Sequence, residues 1–128
     1  MPALNFKVQF EPDIRSGRKT QTIRRTARCK TGDELQLYAG ERSGSRALIG
    51  SATCAICEPI TIDENYIAVG YYRLPSGDAE HIAKIDGFEN LAAMRAWFRD
   101  RYGLPFGGYR IMWHGLIPVT TEGGGENG

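Results

Sequence analysis

The 128-residue chain has no long apolar run. Nothing in it approaches the about 20 consecutive apolar residues that a membrane helix needs, and "MPALNFKVQF" lacks the apolar core of a secretory signal. Cysteine is scarce: Cys29, Cys54 and Cys57 are an odd set, which argues against the disulfide framework of a small secreted domain. Net charge is nearly absent too. Sixteen Lys and Arg against fifteen Asp and Glu leave +1, which excludes a generally basic nucleic-acid coat, so any electropositive site must be local. These absences leave the expectation of a soluble cytoplasmic domain, long enough to build a core without disulfide support. Residues 1–118 read as one domain, and 119–128, rich in glycine, as a disordered tail.

Acid is also missing from one stretch, and there the sequence becomes informative. Between Arg15 and Lys30 lie seven basic residues (Arg15, Arg18, Lys19, Arg24, Arg25, Arg28 and Lys30) with no Asp or Glu among them. Such a cluster attracts phosphate or another anion. An aggregation-resistant edge strand is the plainer alternative.

Hydropathy patterning outlines the elements. "LNFKVQF" alternates with period two, placing Leu4, Phe6, Val8 and Phe10 inward. "EPDIRSG" reads as one or two helical turns, with Pro12 in the first turn and Gly17 as the cap. "TQTIR", "TGDELQLY", "ALIGSATCAIC", "NYIAVGYY" and "YRIMWHGLI" read as extended, and "SGDAEHIAKI" as a short helix. "ENLAAMRAWFRDRYG" is the clearest helix: Leu91, Met94, Trp97, Phe98 and Tyr102 recur at helical spacing, with Asn90 or Glu89 at its start and Gly103 and Pro105 past its end. Short strands with few long crossovers predict an α+β fold, a small, mostly antiparallel mixed β-barrel with flanking helices.

Within "GRKTQTIRR", strand alternation puts Thr20, Thr22 and Arg24 on one face and Gln21, Ile23 and Arg25 on the other. Ile23 is expected to enter the core, leaving Thr22 and Arg24 to line a cleft. Lys19 has the wrong parity to join them unless the chain bends at Gly17 and Arg18. A lysine, a threonine and an arginine converging there would bind a phosphate or carbonyl oxygen, and a desolvated lysine beside other cations can act as a base.

"FEPDIRSGRKTQTIRR" followed by "TGDELQLY" resembles the signature of ASCH domains, and "IDGFENLAAMRAWFRDRYGLPFGGYRIMWH" is similar to the later part of the same family; together the resemblance spans 6–114. It implies a PUA-like β-barrel with helices over a cleft that binds RNA, a nucleotide or a modified nucleoside, without cofactor or metal. Arg24, with Arg18 and Arg25, would be the ligand-binding cations. One bacterial branch with a similar "GRKT-TIR" stretch removes the acetyl group from N(4)-acetylcytidine without a metal; the resemblance lays its catalytic lysine and threonine on Lys19 and Thr22, and its glutamate on Asp86, one methylene shorter. A ribonuclease is a third, weaker implication. No membrane and no obligate protein partner is implied.

Asp86 also has a structural reading, as a carboxylate before a helix that favours the positive end of the helix dipole. "CAIC" reads as packing: positions three apart in a strand point to opposite faces, and no second Cys pair completes a metal site. His114, Tyr66, Tyr71 and Tyr72 are candidates for a cleft wall or a stacking face.

Overall fold

A computed structural model of the chain describes residues 2–40 and 46–119. Its strands are β1 (Ala3–Phe6), β2 (Gln21–Arg24), β3 (Glu34–Ala39), β4 (Ala47–Ile62), β5 (Ile67–Val69), β6 (Tyr72–Arg73) and β7 (Phe106–Pro118). Its helices are α1 (Glu11–Ser16), α2 (Ser76–Asp86) and α3 (Leu91–Tyr102). Beyond Val119, which donates its amide to Ile49 O at 2.8 Å, the expected disordered tail lies outside the described residues.

The long antiparallel pair β4–β7 is the spine, running from Gly50↔Pro118 to Ile62↔Phe106 with register shifts at Ser51/Thr53 and Cys54/Ile56. Along its other edge β4 carries β3 in its first half and β5 in its second. β1 adds to β3 in parallel, β6 to β5, and β2 to the free edge of β7. Among the described residues the result is a curled half-barrel of seven strands, parallel only at β1–β3. It is the α+β, mostly antiparallel architecture with flanking helices expected from the sequence.

Two cores share the spine. The first gathers Leu4, Phe6, Ile14, Leu35, Leu37, Ile49, Ile111 and Trp113. The second gathers Ile60, Ile62, Ile67, Ile82, Met94, Phe98 and Phe106 beneath α2 and α3. Most expected elements form where their periodicity places them, with three instructive departures. β1 stops at Phe6; a 3-10 turn at Val8–Phe10 then swings the chain into α1, so Val8 is exposed rather than inward. In α3 the buried positions are Met94 and Phe98, whereas Trp97 and Tyr102 are 42% and 43% exposed. In β4 a register shift between Cys54 and Ile56 cancels the alternation, so Cys57 packs on the same core as Cys54. Cys29 joins them, its Sγ 3.4 Å from that of Cys54, and burial pushes its thiol up to about 12. All three cysteines are free thiols.

Candidate functional site

The site begins at the end of α1. Gly17 caps that helix at φ 86°, in the left-handed region that a side chain would strain. The chain bends there, and Lys19 N donates to Asp13 O at 2.9 Å. This is the bend that Lys19 needs to turn inward, and its side chain does so: Lys19 is 4% exposed.

Its ammonium meets the far end of α2. Nζ donates to the Asp86 carbonyl at 2.6 Å and lies 3.7 Å from Asp86 Oδ1. The Phe10 ring sits 5.2 Å from Nζ. Asp86 is the last residue of α2, not a residue ahead of a helix. There the macrodipole disfavours a carboxylate, so the capping role read from the sequence does not apply. Side-chain partners hold it instead. Gln21 Nε2 donates to Asp86 Oδ1 at 3.0 Å and to Ile82 O at 3.3 Å.

Gln21 is the residue that the sequence reading passed over. It is fully buried. Its Oε1 accepts from Arg110 Nη1 at 3.0 Å, and Arg110 in turn pairs with Glu58 at 2.6 Å. A polar chain therefore runs Glu58–Arg110–Gln21–Asp86–Lys19. Strand parity did place Gln21 inward; its partners, 61 to 89 residues away along the chain, left no local trace.

On the other face of β2, Thr22 is 6% exposed and its Oγ1 accepts from Arg24 Nε at 2.9 Å. Arg24 also donates to Asn5 O at 2.8 Å and lies over the Phe6 ring. Its charge is felt by both Lys19 and Asp86. Lys19, Thr22, Arg24 and Asp86 thus meet in one region as two hydrogen-bonded groups, Lys19–Asp86–Gln21 and Thr22–Arg24–Asn5. Among the described residues no hydrogen bond links Lys19 to Thr22.

Arg18 and Arg25 stand apart. Arg18 is exposed and held by Asp13 at 2.7 Å. Arg25 turns to the opposite side, over the rings of Tyr102 and Phe106. An open pocket of about 580 Å³ borders Lys19, with Arg18, His81, Lys84, Gly87 and Phe88 in its wall; Thr22, Arg24 and Asp86 do not line it. His114 is exposed, as are Tyr71 and Tyr72, while Tyr66 lies under Arg73 at 3.9 Å.

Burial decides the electrostatics. It lowers the Lys19 pKa below the ordinary lysine value, against the attraction of Asp86, and Arg24 lowers it further. Burial also raises the Asp86 pKa, against Lys19 and Gln21. Proximity alone would keep both groups charged. At 3.7 Å the ion pair is long, and desolvation outweighs it for both partners. No group of described residues is arranged to hold a metal ion.

No protein-family model and no curated protein matches the sequence. Solved structures do. The crystal structure of ASCH from Zymomonas mobilis superposes with a TM-score of 0.58 at 14% identity, covering 91% of this chain and 68% of that one. A tyrosine-to-phenylalanine mutant of the same protein gives 0.57 at 16%, over 92% and 71%. A serine-to-alanine mutant gives 0.54 at 15%, over 92% and 73%. The motif resemblance at "GRKTQTIRR" and this likeness in three dimensions agree: the chain has the ASCH fold.

Proposed function

We propose that the protein binds a nucleoside or nucleotide, free or within RNA, where Lys19, Thr22, Arg24 and Asp86 meet. The observation that carries this reading is their proximity: Lys19 bonds Asp86, 67 residues away, Arg24 bonds Thr22, and the charge of Arg24 reaches both Lys19 and Asp86. Nucleobase edges alternate donors and acceptors, and a site offering both beside the Phe10 and Phe6 rings suits such a ligand. Titration calorimetry with nucleosides and nucleotides tests it. Lys19→Ala and Arg24→Ala should each weaken binding, and equal affinities for both variants and the wild type would refute the site.

A second reading, amide hydrolysis on an N-acylated nucleoside such as N(4)-acetylcytidine, is favoured by the lowered Lys19 pKa. Neutral Lys19 would take the Thr22 hydroxyl proton as Oγ1 attacks the acyl carbonyl and would return it to the nucleoside amine as the C–N bond breaks. Water, deprotonated by the same lysine, would then free the acyl group from Thr22 as a carboxylic acid, and Asp86 would steer the lysine or help protonate the leaving amine. Binding ranks first because Lys19 is bonded to Asp86 rather than to Thr22, whose oxygen is engaged by Arg24. Metal-independent turnover of N(4)-acetylcytidine, abolished by Thr22→Ala, would reverse that order.

A further inference from the structure

The periodicity of α3 expects Trp97 and Tyr102 inside; the fold leaves both nearly half exposed. They are edge-to-face neighbours, with ring centroids 6.3 Å apart. Two guanidinium groups lie against them. Arg101 is 5.4 Å from the Trp97 ring and 6.0 Å from that of Tyr102, while Arg25, reaching across from the end of β2, is 5.3 Å from Tyr102. Both arginines are exposed. Among the described residues neither forms an ion pair, although α3's Arg99 is held by Glu64. Asp100, between Arg99 and Arg101 on the helix, contributes to the field at Arg99, and among the described residues it forms no ion pair with Arg101.

We infer that Arg25, Trp97, Arg101 and Tyr102 form a second binding surface, one that takes a single-stranded nucleic acid through base stacking and phosphate contacts. Exposed rings flanked by unneutralised guanidinium groups match the two requirements of such a ligand. Bases stack on aromatic faces and on arginine planes, and the phosphates between them need cations. An apolar protein surface fits worse, because docking it would strip water from two cations and give them no counter-charge. The surface adjoins the pocket beside Lys19 without sharing its cations: Phe88, in that pocket's wall, lies 6.1 Å from the Trp97 ring, while alternation along β2 sends Arg24 to Phe6 in the first core and Arg25 to Phe106 in the second. Lys19→Ala therefore tells this inference apart from the nucleoside reading.

The chain's two tryptophans make the test direct, because Trp113 is buried and quenching by a ligand reports on Trp97. The probe is a fluorescein-labelled oligouridylate of about ten nucleotides, followed by anisotropy at about 50 and 200 mM salt; quenching is read with the unlabelled strand. The wild type should bind at low salt with quenched tryptophan emission. Arg25→Gln with Arg101→Gln should weaken binding about 10-fold or more and reduce the salt slope by about 1.4, the share of two phosphate contacts on a single strand. Trp97→Leu should weaken binding at least about 5-fold, and Trp97→Phe should restore most of it. Lys19→Ala should leave the quenching in place. Three results would each overturn the inference: no binding at low salt, a double-arginine variant that binds like the wild type, or quenching lost in Lys19→Ala but kept in the arginine variant. Concentration-dependent self-association abolished by the same substitutions would also overturn it, assigning the face to a second copy of the chain.

Discussion

Lys19 is drawn in two directions, by burial that favours its neutral form and by Asp86 that favours the charged one, and burial prevails. Removing the countercharge should therefore lower its pKa further: in Asp86→Asn, the Lys19 ammonium should titrate at lower pH than in the wild type, as followed by NMR of the side chain. The linkage has a definite sign. Between the lowered folded value of Lys19 and the ordinary 10.5, the unfolded chain binds more protons, so stability rises with pH through that window. Asp86 acts oppositely: between 3.8 and its raised folded value the native state holds the extra proton, and stability falls as pH rises. Lys19→Met should flatten the alkaline rise in melting temperature; an unchanged alkaline profile would contradict the burial argument. Gln21 stands behind both groups. Gln21→Leu strips Asp86 and Arg110 of a buried partner and should cost about 1–3 kcal/mol in denaturant unfolding. Its inward direction was legible from strand alternation, but its role was not, since hydrogen-bond partners distant in sequence leave no periodic signal.

Among the elements, α3 shows how far periodicity reaches. The helix, its Asn90 cap and its end at Gly103 were all legible, because capping chemistry is local. The width of its buried stripe was not. That depends on how the helix lies on β7 and α2, and the resulting seam runs through Met94 and Phe98. Phe98→Ala should then cost about 3–5 kcal/mol, and Trp97→Ala distinctly less, in parallel melts. Equal losses would return Trp97 to the core. Asp86 shows the same limit from the other side. The sequence places Asp86 ahead of a helix, but α2 runs on to Asp86, which makes it a helix end rather than a helix start. In β4 the shift beside Cys54 reverses the facing of Cys57, and no local residue pattern announces it. Where β2 meets β7, a β-carbon on Gly108 would lie 2.5 Å from the Arg24 carbonyl oxygen. Gly108→Ala should push β2 outward there, destabilising the fold and weakening any ligand held by Arg24.

At the scale of the molecule, the β4–β7 spine carries two cores, and the candidate site lies where segments from both come together. Asn5 and Phe6 belong to β1 at the first core; Asp86 ends α2, which covers the second; β2 supplies Gln21, Thr22 and Arg24 between them. This explains why the segment "GRKTQTIRR" could be singled out while the site's assembly could not: the strand is local, but its partners arrive through the topology. It also carries a prediction. A ligand bridging Lys19 and Arg24 ties together elements that pack on different cores, so it should stabilise both at once. At a free concentration about 100 times its Kd, a ligand adds roughly 2.7 kcal/mol, which for a domain of this size raises the melting temperature on the order of 10 °C. The shift should appear in one cooperative transition seen identically by tryptophan fluorescence in a Trp97→Phe background, which leaves Trp113 in the first core as the emitter, and by amide exchange in α2 and α3 over the second. In Lys19→Ala the same concentration should give a much smaller shift. If the ligand protected α2 and α3 but left the Trp113 signal melting at its unliganded temperature, the site would belong to the second core alone, and the bridging role of β2 would be wrong.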